Sequence, residues 1–211
     1  MSTKYYSNKR EEMLEFVPMN SKKILIVGCA KGEFGNEIIR RQKAEVWGIE
    51  PNTSSAMEAG KTFHKVINDY FSSELNLPNN YFDCIVFNDV LEHMTDPWSA
   101  LKMSKKLLNI KQNSVVIASI PNFRFIGNLF EILIKKDFKY KDAGILDKTH
   151  YRFFTNKSIV RLFTNEGFEI TKIVGISNTK HILFIILNLL TFKIFDDMKS
   201  RQFAVVAKSN K

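Results

Sequence analysis

Glycines at positions 28, 32 and 35 punctuate the stretch KILIVGCAKGEFGNEII, where an apolar, branched run gives way to a helix-like pattern. A strand that passes through such a turn into a helix lets a nucleotide-like ligand approach backbone where a side chain would block it. Twenty-two positions past Gly28, at the end of the next apolar run, stands Glu50. A carboxylate there can accept hydrogen bonds from both hydroxyls of a ribose. Together the two features point to an adenosine-containing ligand. Asn68-Asp69-Tyr70 adds an acid able to accept from the exocyclic amine of adenine and an aromatic ring able to pack on it. Asn-Asp pairs are also common in solvated turns.

The spacing of the turn narrows the ligand. Dinucleotide binding asks for glycines at relative positions one, three and six. Counted from Gly28, Ala30 holds position three, Gly32 position five and Glu33 position six. An acid at the open N-terminus of a helix repels a pyrophosphate. A cofactor without phosphate tolerates it. S-adenosylmethionine has no phosphate and carries a sulfonium, an ammonium and one carboxylate, so the spacing favours it over NAD.

Two further stretches carry reactive side chains. In FDCIVFNDVLEHMTDP, an apolar run ends at Asn88-Asp89, and His93 follows. Open parallel sheets bind ligands at the carboxyl ends of their strands, so Asn88 is placed against the methionine part of the cofactor. His93 is a ligand contact or a base, or else a capping or core histidine. The second stretch, DKTHYRFFT, packs Asp147, His150, Tyr151 and Arg152 together just before a helix. An imidazole with a pKa of about 6.5 is neutral near pH 7 and can accept a proton from a hydroxyl. His150 is the candidate base, oriented by Asp147 or another acid. Tyr151 and Arg152 are candidate acceptor contacts, Arg152 holding an anionic group. The bland alternative is a structural turn in which Asp147 caps and Phe153 and Phe154 enter the core.

The elements that must position these groups alternate along the chain. Strands are expected at 23–28, 45–50, 65–68, 82–87, 114–120, 168–176 and 203–208. Helices are expected at 33–42, 54–62 (with Ser54 as cap), 97–108 (with Pro97 in its first turn) and 156–166 (ended by Gly167). Such alternation implies an α/β fold with a largely parallel sheet covered on both faces. Two segments break the rhythm, a lid-like insertion at about 123–142 and an apolar helical insertion at about 180–196. Both are shorter than the roughly 20 apolar residues a bilayer span needs. Packing on the sheet, a homodimer contact or a lid are preferred over a peripheral membrane contact.

A chain of 211 residues, 45% hydrophobic, suits a single domain spanning residues 1–211. The stretch Met1 to Glu15 is polar and charged and reads as no signal peptide. Cys29 and Cys84 have no zinc-like spacing, so a reduced, cytoplasmic protein with no metal site is expected. The net charge of +9 gathers partly at Lys135, Lys136, Lys139 and Lys141 and at Lys199, Arg201, Lys208 and Lys211. That raises the odds of an anionic partner, while acids interspersed along the chain allow plain solubility.

Taken together, these residues resemble the class I S-adenosylmethionine-dependent methyltransferases, from about Lys22 to Lys208. GCAKG matches the first motif of that family, with Ala30 where glycine is usual. Glu50, followed by Pro51, matches the ribose-binding acid, and Asp69 with Tyr70 the adenine position. NDVLEHMTDP matches the segment after the fourth strand that is common in small-molecule members such as those of quinone biosynthesis. KYKDAGILDKTHYRFFT is similar to bacterial members associated with cell-surface polysaccharide synthesis. The resemblance implies a Rossmann-like seven-stranded sheet, mostly parallel, with helices on both faces and an antiparallel last strand. It implies a cofactor site of Gly28, Cys29, Ala30, Gly32, Glu50, Pro51, Asp69, Tyr70, Asn88, Asp89, Val90 and His93.

The expected activity is O-methylation of a sugar, glycan or similar hydroxylated small molecule, with S-adenosylhomocysteine as product. The expected catalytic residues are His150 and His93, and the expected acceptor contacts Asp147, Tyr151 and Arg152. Methylation of a quinone-like or other small metabolite is the alternative. An NAD-dependent oxidoreductase and a non-catalytic cofactor-binding protein are the readings from other classes. Base-methylating relatives carry an Asn or Asp followed by Pro-Pro and an aromatic where this chain has Asn88-Asp89-Val90-Leu91, so no nucleic-acid partner is expected.

Overall fold

The computed structural model describes residues 10–110 and 113–209, so residues 1–9 of the amino-terminal stretch and Lys211 lie outside it. Alternation of side chains fixes the strands. In β1 (Lys23–Val27), Leu25 and Val27 enter one apolar cluster while Ile24 and Ile26 enter another on the opposite face. Seven strands form one sheet in the order β3-β2-β1-β4-β5-β7-β6. The others are β2 (Glu45–Ile49), β3 (Lys65–Ile67), β4 (Cys84–Asn88), β5 (Val115–Pro121), β6 (Phe168–Asn178) and β7 (Ser200–Ser209). The pairs from β3 through β5 are parallel, and β7 runs antiparallel to both β5 and β6. The expected seven-stranded, mostly parallel architecture with an antiparallel last strand is therefore present.

Helices cover the sheet. A short α1 (Glu11–Leu14) precedes β1, and α2 (Glu33–Gln42) buries Phe34 and Ile38. The next helix, α3 (Thr53–Ala59), starts earlier than expected. Its cap is Asn52, whose side chain accepts from Ser55 N, and not Ser54. Asp96 caps α4 (Pro97–Leu107), and a capping box of Thr155 and Ser158 starts α6 (Asn156–Asn165). The chain leaves β1 for β2 and β3 on one side, then returns to β4 and β5 on the other. The crevice at the carboxyl ends of β1 and β4 is thus the switch point where such sheets bind ligands.

Both irregular segments contain a helix. In the first, α5 (Ile126–Leu133) is followed by irregular chain with Phe138 and Tyr140 exposed. In the second, α7 (Ile182–Leu190) buries only Phe184 and Asn188, and its other seven residues, all apolar, are exposed. Packing on the sheet therefore accounts for very little of α7. No helix among the described residues is long and apolar enough to cross a membrane.

Candidate functional site

The turn after β1 is built from backbone. Gly28 N and Cys29 N both donate to the Ile49 carbonyl, which ties the turn to the end of β2. Gly28 sits at φ +68°, and a Cβ there would lie 2.6 Å from Val90 Cγ2. Only glycine combines that backbone angle with so close a neighbour. Ala30 also adopts a positive φ, +48°. The departure from the expected glycine is thus accommodated, at a cost of about 1–2 kcal/mol for a left-handed non-glycine residue. Gly32 caps α2, and Glu33 stands at the helix mouth.

Glu50 is buried, and backbone holds both of its carboxylate oxygens. Oε2 accepts from Ala30 N at 2.8 Å and Oε1 from Asn52 N at 2.9 Å. Each oxygen keeps a second lone pair. Asn68 donates to the carbonyls of Glu50 and Pro51, which sets the end of β3 beside them. Burial, and then the Glu50 carboxylate, push the Cys29 thiol up to about 12. The buried thiols of Cys29 and Cys84 are free.

These groups surround a cavity of about 730 Å³. Its wall includes Gly28, Cys29, Ala30, Glu33, Glu50, Pro51, Asp69, Tyr70, Asn88, Asp89, Val90, His93 and Tyr151. An adenosyl ligand fits this set. Glu50 offers lone pairs for ribose hydroxyls, and the side-chain oxygen and nitrogen of Asn88 are buried there without a hydrogen-bond partner. Such unmet groups cost free energy until a ligand satisfies them. Gly32 caps the helix and lines none of this wall.

Asp89 stands where two cavities meet. It also lines a second one of about 530 Å³, together with Asn128, Glu131, Lys141, Arg201 and Gln202. Its Oδ1 accepts from Gln202 Nε2 at 2.7 Å and from Ser119 Oγ at 3.1 Å, and its Oδ2 pairs with Arg10 at 2.7 Å. Burial raises the Asp89 carboxyl above its ordinary range while Arg10 pulls it back. Arg10 also lines the larger cavity and is absent from the sequence-derived set. A lone arginine in a charged stretch gives no spacing by which to find it.

The 147–152 segment docks on the turn after β4. The Glu92 carbonyl accepts from both Tyr151 N (2.9 Å) and Arg152 N (3.1 Å). This brings His93 and His150 together, with ring centroids 4.6 Å apart. His93 reaches the wall of the larger cavity, whereas His150 stands against His93 and lines neither cavity. Asp147 does not orient His150, because its Oδ1 accepts from Thr149 N and Thr149 Oγ1. The Ile145 carbonyl, 3.0 Å from His150 Nδ1, does so instead. Burial lowers the His150 pKa, against the pull of that carbonyl. Asp147 also lines neither cavity. Arg152 donates to the Thr95 carbonyl and lies over the Trp98 ring, so its guanidinium is engaged in holding the loop. Phe154 enters the core, as the structural-turn alternative expected.

The sequence profile of the methyltransferase domain matches residues 3–173. Among solved structures, a SAM-dependent methyltransferase from Archaeoglobus fulgidus superposes with a TM-score of 0.68 at 17% identity, covering 98% of this chain and 96% of that one. An S-adenosylmethionine-dependent methyltransferase from Mesorhizobium loti gives 0.64 at 14% identity, covering 96% and 98%. The [4+2]-cyclase SpnF gives 0.60 at 14% identity, covering 90% and 75%. At these identities the likenesses show the fold, and a fold hosts more than one chemistry.

Proposed function

The chain belongs to the methyltransferase domain family, and on that premise we propose that it uses S-adenosylmethionine to methylate an oxygen of a sugar, a glycan or a similar hydroxylated small molecule. Bound in the larger cavity, the cofactor supplies a methyl group on a positively charged sulfur. Glu50 holds the ribose, Asp69 takes the adenine amine, and Asn88 meets the methionine portion. Glu33 in the same wall speaks against a pyrophosphate and hence against NAD.

The observation that carries the acceptor reading is the second cavity, which shares Asp89 with the first and is lined by Asn128, Glu131, Lys141, Arg201 and Gln202. Closely placed amide, carboxylate and cationic groups suit an acceptor rich in hydroxyls. Lys141 is paired with Glu131 at 2.6 Å, so the segment after α5 closes one side of that cavity. Holding the acceptor oxygen against the methyl group provides most of the acceleration. A sugar hydroxyl is a weak nucleophile, and the His93–His150 pair takes charge of its proton.

Incubation with S-adenosylmethionine and a panel of sugars, nucleotide sugars and phenolic metabolites, read by mass spectrometry, tests the reading. A gain of one methyl on a hydroxylated acceptor is expected. His150→Ala is expected to lower turnover by about 100-fold or more with little change in cofactor affinity. Full turnover in that variant, with the acceptor so identified, removes the histidine pair from the mechanism.

A further inference from the structure

Glu92 is 1% exposed, and neither of its carboxylate oxygens meets a hydrogen-bond partner. A carboxyl buried in this way is costly to retain and asks for an explanation. One of its oxygens and one ring nitrogen from each of His93 and His150 lie within 4.8 Å of one another. The surrounding backbone fixes all three. Glu92 is pinned through its carbonyl to Tyr151 N and Arg152 N. His93 Nδ1 lies 3.1 Å from the Thr149 carbonyl, and His150 Nδ1 lies 3.0 Å from the Ile145 carbonyl. A carbonyl only accepts, so each Nδ1 is the donor there and Nε2 is the nitrogen left to ligate a metal. Metal-binding imidazoles are held in this way, with the second nitrogen donating to a carbonyl or carboxylate.

We propose that Glu92, His93 and His150 form a binding site for a divalent first-row transition cation beside the cofactor cavity. Two imidazoles and one carboxylate suit zinc, manganese, iron or cobalt better than magnesium or calcium, which prefer an all-oxygen shell. Metal–ligand bonds of about 2.0–2.2 Å bring ligand atoms roughly 3–4 Å apart, so atoms now within 4.8 Å of one another close by at most about 1–2 Å around an ion. Three protein ligands leave coordination positions open for a substrate oxygen. Asp89 is excluded from the set because Ser119, Gln202 and Arg10 already hold it.

The role of the ion rests on the proposed methylation of a hydroxyl. Coordination lowers the hydroxyl pKa. Its O–H bond breaks, the proton passes to bulk water, and the oxygen keeps the electron pair with which it attacks the methyl. The two histidines then act as ligands and not as bases.

Titration of the tag-free full chain, stripped by chelation and dialysed, tests the site with Co²⁺ followed by visible absorption and with Zn²⁺ and Mn²⁺ by calorimetry. One equivalent is expected to bind. Affinity is expected to fall by about tenfold or more in Glu92→Gln and in His150→Ala, and to stay unchanged in His181→Ala. S-adenosylhomocysteine binding in the same samples certifies that each variant is folded. Failure of the wild type to bind any of the three ions at millimolar concentration, with S-adenosylhomocysteine still bound, overturns the site and leaves hydroxyl methylation by a histidine base standing. Equal metal binding in all three variants overturns it as well. Metal binding by a wild type that takes up no S-adenosylhomocysteine keeps the site and removes the proposed reaction.

Discussion

The two cavities that meet at Asp89 are built from different materials. The larger one takes most of its wall from the carboxyl ends of β1, β2 and β4, and backbone amides fix its carboxylate, as with Ala30 N and Asn52 N on Glu50. The smaller one takes its wall from the α5 helix, the 141–146 chain, and Arg201 and Gln202 of β7. There the shape depends on side-chain pairs such as Lys141 with Glu131. Near it, Arg124 pairs with Asp197 at 2.7 Å, and Asn122 donates to the Asp197 carbonyl, linking the start of α5 to the chain that follows α7. A wall of strand ends and backbone admits few substitutions and suits a fixed cofactor. Loops and paired surface groups can change without disturbing the sheet and suit a variable acceptor.

If that contrast holds, damage to the cofactor half is severe and local. Replacing Glu50 by Ala removes both backbone anchors and the ribose acceptors. Affinity for S-adenosylhomocysteine is expected to fall about 100-fold or more, at about 1.5–3 kcal/mol for each hydrogen bond to a charged group, and calorimetry reads it. Gly28→Ala meets both the φ of +68° and the contact with Val90. A loss of about 1–3 kcal/mol follows, seen as a melting temperature lower by roughly 3–10 °C. Asn88→Ala separates binding from stability. Its buried amide has no partner to lose, so the unliganded protein is expected to melt at the wild-type temperature or above it. Cofactor affinity should weaken by about tenfold. A clear drop in unliganded stability shows instead that Asn88 is structural.

The smallest effect is expected on the acceptor side. Leu187, in the exposed set of α7, should accept Glu with a stability change within about 0.5 kcal/mol. A large loss in denaturant unfolding breaks the contrast, because it means that α7 is packed in solution.

The half proposed for the cofactor was the more legible in the sequence. Gly28, Glu50, Asp69 and Asn88 each follow an apolar run that became a strand, and the strand-end rule brings such positions to one crevice. The bounds of α2 agree residue for residue with the expected 33–42, because Gly32 and Lys43 both take left-handed backbone and stop the helix at each end. Weaker signals failed. Ser54 and Asn52 are both good caps, and only the observed bond from Ser55 N to Asn52 Oδ1 separates them. Phe82 was expected in β4 but forms an isolated bridge to Leu108. Asp147, expected to orient His150, is taken by its own neighbour Thr149, a local bond that needs no tertiary partner. The excess of lysine was visible, but its pairing with Glu131, Asp142 and Asp196 was not.

The sequence alone determined the alternation of strand and helix, the left-handed turn at Gly28 and the acid at Glu50, because these depend on local periodicity and on residues adjacent in the chain. The meeting of Glu92 and His93 with His150 was decided by the tertiary structure. It arises when the Tyr151 and Arg152 amides close on the Glu92 carbonyl, which brings together two histidines 57 positions apart in the chain. The placement of Arg10 against Asp89 has the same origin. An ion pair between distant segments is selected by the geometry of the folded sheet, which no periodicity in the chain encodes.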